Sequence, residues 1–199
     1  SENSLHAGVV EIYVEKNAKC KYSTIQNWST DVYNLVTKRA IVEENGLMEW
    51  VDGNIGSKVT MKYPSCILKG NNSIGNSISI AYAKNNQYLD AGAKMIHLGK
   101  NTKSTIISKS IASLKGRSDY RGTVKIAKEA VGSFATVKCD NIILDEKSSS
   151  NTYPKNIVLN NSSTLEHEAT ISKINEEKLF YLKSLGISED NAKDLYVLG

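Results

Sequence analysis

The alternation of apolar and polar positions is the strongest signal in the chain. "VVEIYVE" puts Val10, Ile12 and Val14 on one face and Glu11, Tyr13 and Glu15 on the other, the period of two expected of a strand with one buried side. "SKVTMKYPSCILKG", "NSISIAYA", "STIISKSIAS", "GTVKIAKEA" and "TVKCDNIIL" repeat the rhythm, and Gly, Asn, Asp and Ser punctuate it in "NIGSK", "KGNNSIGNS", "LGKNTKS" and "LKGRSDYRG". Strand starts about every ten residues predict an all-β fold. Two-residue hairpin turns are scarce, Asn45-Gly46 being the one candidate. A loose repeat near twenty residues favours a solenoid of stacked coils, each burying its inner face against its neighbours; a β-sandwich is the alternative. "DEKSSSNTYP", Asp145 to Pro154, reads as an exposed loop.

After Ile174 the period changes. In "NEEKLFYLKSLG", Asn175 suits an N-cap and two glutamates suit the first turn. Leu179, Leu182 and Leu185 keep helical spacing, and Gly186 stands where a C′ glycine belongs. A second short helix, capped by Ser188, carries Ala192, Leu195, Tyr196 and Leu198. The expected division is a β core over 1–174 and an incomplete helical segment over 175–199.

Composition narrows the function classes. The 199 residues are 40% hydrophobic and 23% charged, with a formal net charge of +4, ordinary values for a globular chain. Lysines are spread among Glu, Asp and Ser rather than clustered, which argues against nucleic-acid binding. The apolar runs are too short to span a membrane. The first residues begin no signal peptide, and the lack of an initiator Met suggests a fragment or a processed product. Cys20, Cys66 and Cys139 form no C-x-x-C pair, so free thiols in a reducing compartment are expected. The Lys-over-Arg skew and the many Asn and Ile residues suit an AT-rich genome, which points to a plastid stroma, with the bacterial cytoplasm as the alternative.

Candidate chemistry gathers near the end of the strand pattern. Cys139 shares parity with Val137, as a small buried residue would. It is also a candidate thiolate ligand or sulfur acceptor, with Lys138 beside it to lower its pKa. His167 lies between Glu166 and Glu168 and shares parity with Leu165, Ala169 and Ile171, so it faces the core while the glutamates face away. Position 171 is Ile, which rules out a His-Glu-x-x-His zinc helix. Cys139 and His167 are 28 residues apart, one coil plus the 145–154 loop, so their strands are expected to be neighbours. Thiolate, carboxylate and imidazole together suit iron. "GKNT" at Gly99 to Thr102 lacks the upstream glycine of a P-loop and reads as a turn. Gln26 and Trp28 share a face, and Lys38 sits in an apolar strand.

The segments "LHAGVVEIYVEKNAKCKYSTIQNW", "YNLVTKRA", "AGAKMIHLGKNTKSTIISKSI", "SDYRGTVKI", "VKCDNIIL", "NTYP" and "LEHEATISKI" resemble the SufB/SufD family of the SUF iron–sulfur cluster assembly machinery, from Leu5 nearly to the last residue. The resemblance implies a right-handed parallel β-helix followed by C-terminal helices. It implies a scaffold rather than an enzyme, holding a transient iron–sulfur cluster of the 4Fe-4S type. It implies pairing of SufB with SufD or with a second SufB, ATP hydrolysis by SufC, and sulfur from SufS and SufE. By the same resemblance Cys139 matches the sulfur-accepting and cluster-holding cysteine. Glu166, His167 and Glu168 match the segment that completes the site, and His6, Gln26, Trp28 and Lys38 match residues of a sulfur path inside the β-helix. The family's upstream sulfur-accepting cysteine has no counterpart in this chain, and Cys20 and Cys66 match no family role. Two other readings stay open: a metal-dependent enzyme using Glu166 and Glu168 as acid and base, and a purely structural solenoid with Cys139 inert.

Overall fold

The computed structural model describes residues 3–174, 176–189 and 191–192. The strands, in order, are β1 (Ser4–Val14), β2 (Lys19–Trp28), β3 (Val32–Val42), β4 (Leu47–Gly56), β5 (Val59–Lys62), β6 (Ser65–Leu68) and β7 (Ile74–Ala83). They continue as β8 (Tyr88–His97), β9 (Lys103–Ala112), β10 (Arg117–Ile126), β11 (Phe134–Ile143), β12 (Ser149–Val158) and β13 (Thr164–Lys173). One sheet runs β1-β3-β5-β8-β10-β12, with β6 sharing the rung of β5, and the other runs β13-β11-β9-β7-β4-β2. Apart from the break between β5 and β6, which share a sheet, the chain crosses from sheet to sheet between successive strands, and the pairings are parallel. This is a parallel β-solenoid, and the sandwich alternative falls.

Three details correct the expectations from sequence. Each coil takes 26–32 residues between register partners, not about twenty, because a coil holds two strands of about ten residues and two corners. Asn45-Gly46 closes no hairpin: it joins β3 to β4, which lie in different sheets. Most of the 145–154 segment is not a loop: after a turn at Asp145–Ser148, β12 begins at Ser149. Its polar residues belong to an end strand that has solvent on several sides.

The corners explain the asparagines. Asn17, Asn45, Asn72 and Asn101 have φ of 61°, 54°, 57° and 55°, the left-handed region that Asn tolerates better than most residues. The next coil has Gly132 there (φ 69°), and a Cβ added to it would lie 2.5 Å from Asn101 Oδ1. Asn45 Nδ2 donates to Asn17 Oδ1 at 3.0 Å, and Asn72 Nδ2 to Asn45 Oδ1 at 3.2 Å, so the corners stack as a side-chain ladder.

Helix α1 (Glu176–Ser184) follows. Gly186 at φ 83° ends it in a Schellman motif, with Ile187 N–H donating to Leu182 O and Gly186 N–H to Lys183 O. Leu179 and Leu182 are half-buried, whereas Leu185 is exposed, so the expected apolar face is only partly covered. Asn191 N–H donates to Ser188 Oγ, the cap expected there. Asn175, Leu195, Tyr196 and Leu198 lie outside the described residues.

Candidate functional site

Inward-facing side chains fill the bore between the sheets, and its two ends differ. At the β11–β13 end Cys139 is fully buried, and its register partners are Ser108 and Ala169. Burial pushes its thiol up to about 11; Tyr120 partly offsets this and Asp140 adds to it. The Tyr120 hydroxyl approaches the thiol but falls short of a well-formed hydrogen bond. Lys138 does not activate the cysteine. It points outward and lies 3.7 Å from Glu168 on the solvent side. At neutral pH Cys139 is therefore a protonated thiol, and a thiolate would need a bound metal or a change of surroundings.

His167 pairs in register with Val137, so it lies on the inner face of the strand beside Cys139, two positions off its rung. One strand spacing and two residues of rise put the two backbones about 8 Å apart. Asn156 Nδ2 stands 3.0 Å from His167 Nδ1, while Nε2 is buried without a hydrogen-bond partner. Burial lowers the imidazole pKa, which favours the neutral form. If the Asn156 amide is turned so that its oxygen accepts from Nδ1–H, the lone pair of Nε2 is free for a metal. Asn156 gave no signal in the sequence, because its role depends on the opposite sheet.

Glu166 and Glu168 pair with Thr136 and Lys138 on the outer face, and both are exposed. Cys139 and His167 thus share the inner face and the glutamates the outer one, so the three ligand types do not converge in this chain as it stands. Among the described residues no three His, Cys, Asp or Glu side chains gather as a metal site.

At the β1–β2 end the residues matched to the sulfur path do come together. His6 and Trp28 stack with ring centroids 4.6 Å apart. His6 Nδ1 meets Asn34 Oδ1 at 2.9 Å, and Asn34 Nδ2 donates to Gln26 Oε1 at 2.9 Å. Lys62 Nζ donates to the same Gln26 oxygen at 3.3 Å. Lys38 and Lys62 are both buried, with Nζ atoms 2.6 and 2.8 Å from Asp52 Oδ1. Lys38 also lies over the rings of Tyr22 and Trp50. His6, Gln26, Trp28 and Lys38 line a cavity of about 520 Å3 open at this end. Asn34, Asp52 and Lys62 escaped the sequence reading; a lysine and an aspartate at inward positions of strands were the signal to follow.

The two ends are joined along one inner column. Thr24, Asp52, Ser79, Ser108 and Cys139 are successive register partners on β2, β4, β7, β9 and β11, four rungs or about 19 Å. Beside them run Gln26, Asn54, Ala81, Ser110 and Asn141, with Ser110 Oγ donating to Asn141 Oδ1 at 2.6 Å. A lane of small polar side chains therefore crosses the interior, where apolar residues would pack more simply.

Comparison with known proteins fits this architecture. The family model described as SUF system FeS cluster assembly, SufBD core domain, matches residues 1–199. The iron-sulfur cluster assembly protein SufB of Bacillus subtilis is 57% identical over 197 residues, which cover 99% of this chain and 42% of that protein. An iron-sulfur cluster assembly SufBD family protein of Staphylococcus epidermidis is 55% identical over 199 residues, covering 100% of this chain and 43% of that protein. The chain thus spans about two fifths of the length of these relatives. Both come from bacteria, which favours the bacterial over the plastid setting. Matched along its whole length and more than half identical to these relatives, the chain belongs to the SufBD core-domain family of the SUF iron–sulfur cluster assembly system.

Proposed function

We propose that this chain is the β-solenoid core of a SUF scaffold that receives persulfide sulfur and holds a nascent cluster, of the 4Fe-4S type, at Cys139. Sulfur from a SufS/SufE donor enters the bore at the His6, Gln26, Trp28 and Lys38 end. It crosses along the hydroxyl and amide lane as the small anion HSS−, and at Cys139 the thiol takes one sulfur to become a persulfide while HS− leaves. Iron is the second substrate, and His167 is its nearest further ligand. Glu168 and Glu166 join from the outer face once the end strand is engaged by a second β-solenoid subunit, SufD or another SufB. A SufC ATPase docks through the C-terminal helical segment, where Phe180, Tyr181 and Leu185 are exposed, and its ATP hydrolysis drives opening of the site. The β core over 1–174 and the helices over 175–199 act as separate units in this scheme. The setting is the bacterial cytoplasm.

One observation carries the reading: the β11–β13 register, which sets a buried thiol beside a histidine with an unpartnered inward nitrogen. A thiol pushed up to about 11 resists stray oxidation until iron displaces its proton. The test is anaerobic reconstitution of the full-length protein with its partners, followed by visible absorption of the bound cluster. Cys139→Ala is expected to lose most of the cluster, and His167→Ala and Glu168→Ala part of it. Wild-type cluster content in Cys139→Ala overturns the assignment.

A further inference from the structure

Unmatched polar atoms gather in the coils that carry Cys139 and His167. Among the described residues five buried side-chain atoms lack a hydrogen-bond partner. Four of them, Tyr120 Oη, Asn141 Nδ2, Thr152 Oγ1 and His167 Nε2, belong to inward positions of β10 to β13, so they collect there rather than scatter through the bore. Tyr120 is the one that meets the thiol. It is 2% exposed and faces Cys139 from the opposite sheet, within the same core cluster. Gly122, two positions further along β10, makes room for the tip of its ring: a Cβ there would lie 2.3 Å from Tyr120 Oη. A buried hydroxyl without a partner is costly, and phenylalanine would fill the same space without that cost. A neutral thiol is a poor acceptor, which accounts for the lack of a well-formed bond between the two groups at rest. Burial first, and then the neighbouring Cys139, push the phenol above its ordinary value, so Tyr120 keeps its proton.

We propose that Tyr120 is the donor that stabilises a persulfide on Cys139: its hydroxyl, unmatched beside the thiol, gives a charge-assisted hydrogen bond to the perthiolate once a sulfur has been added. This rests on the delivery of sulfur to Cys139 set out above, and it supplies a binding residue on the opposite sheet. The step balances without an outside oxidant. HSS− passes one sulfur to the thiol, so that its own S–S bond breaks and a new one forms at Cys139 Sγ. A persulfide is a stronger acid than a thiol, so its proton leaves with the departing sulfide. Thiol and HSS− thus become perthiolate and hydrogen sulfide. The site is neutral before the step and carries one negative charge after it. A hydrogen bond to an ionised acceptor is about twice as strong as one between neutral groups, so Tyr120 favours the loaded cysteine over the resting one.

The probe is sodium disulfide mixed with excess sodium sulfide, equilibrated anaerobically with the iron-free full-length protein. Thiols and persulfides are then capped by alkylation, and mass spectrometry of the Cys139 peptide gives the fraction loaded. Wild type is expected to carry persulfide on Cys139, and Tyr120→Phe should lower the equilibrium constant for loading about ten-fold. Thermal unfolding is the second measurement. Tyr120→Phe removes an unmatched hydroxyl and opens no cavity, so the unloaded variant should be at least as stable as wild type. A tyrosine with a merely structural role would show the reverse, with stability lost and loading unchanged. Equal loading in the two proteins, or a lower Tm in the phenylalanine variant, overturns the proposal. A wild type with no persulfide on Cys139 refutes sulfur delivery itself and this proposal with it, whereas wild-type loading matched by Tyr120→Phe refutes the role of Tyr120 alone.

Discussion

Burial without a charged partner governs His97. Its ring is fully buried, with Nδ1 2.8 Å from Thr102 Oγ1 and Nε2 2.8 Å from Ser104 Oγ. Thr102 Oγ1 in turn meets Ser133 Oγ at 2.8 Å on the next coil. Hydroxyls satisfy a neutral imidazole but do not stabilise an imidazolium, so burial lowers the pKa to about 4. The folded value lies below the unfolded one. The stabilising contribution is therefore complete above about pH 6.5 and is lost as pH falls towards 4. Between pH 7 and pH 5 this residue alone should cost about 2 kcal/mol. Urea denaturation at the two values, wild type against His97→Gln, should show a steeper loss in wild type by about that amount; parallel losses would refute it. His97 gave no signal as a titrating group in the sequence, because the hydroxyls that meet it, Thr102 and Ser104, lie beyond the turn that follows β8. For His167 and the glutamates, parity alone gave the faces correctly. That the glutamates and Cys139 occupy opposite faces of paired strands required the register, which a sequence does not print.

The corner sets the coil. Strand alternation was legible because each strand has a packed face and an outer face, but the repeat was not. A solenoid keeps its period in the corners, and the left-handed asparagines there are 28, 27 and 29 residues apart, a signal masked by the many other asparagines of the chain. At Asn45 the residue supplies both the backbone conformation and two rungs of the ladder, to Asn17 and Asn72. Asn45→Ala places a Cβ-bearing side chain without local hydrogen bonds at φ 54° and should cost about 1–2 kcal/mol. Asn45→Gly relieves the backbone and loses only the ladder bonds, so it should cost less. Chemical denaturation of the two variants checks the order, and an alanine as stable as the glycine would remove the conformational argument.

A solenoid has ends, and an open strand end is a template for pairing. β12 and β13 close this one on a rung where the protection of the preceding coil is gone. Ile126 of β10 is fully buried, whereas its register partner Val158 of β12 is 39% exposed, and Ile171 on the inner face of β13 is 48% exposed. The N–H and C=O groups on the free side of these strands have no further strand of this chain to pair with among the described residues. The same end holds Cys139 and His167, so a partner there would cover the site, and the proposed second β-solenoid subunit suits that edge. The opposite end also exposes apolar surface, with Ile25 at 82%, and in the proposed scheme it is the end where sulfur enters. The two ends therefore predict different outcomes. Ile171→Asp puts a charge on the partner-facing strand and should weaken association with the second subunit about ten-fold or more, while thermal unfolding of the isolated protein is little changed. Ile25→Asp, at the mouth, should leave that association intact. Sedimentation analysis of the mixed subunits separates the cases. Equal loss in both variants, or loss confined to Ile25→Asp, would place the partner elsewhere and leave the cysteine end open to solvent.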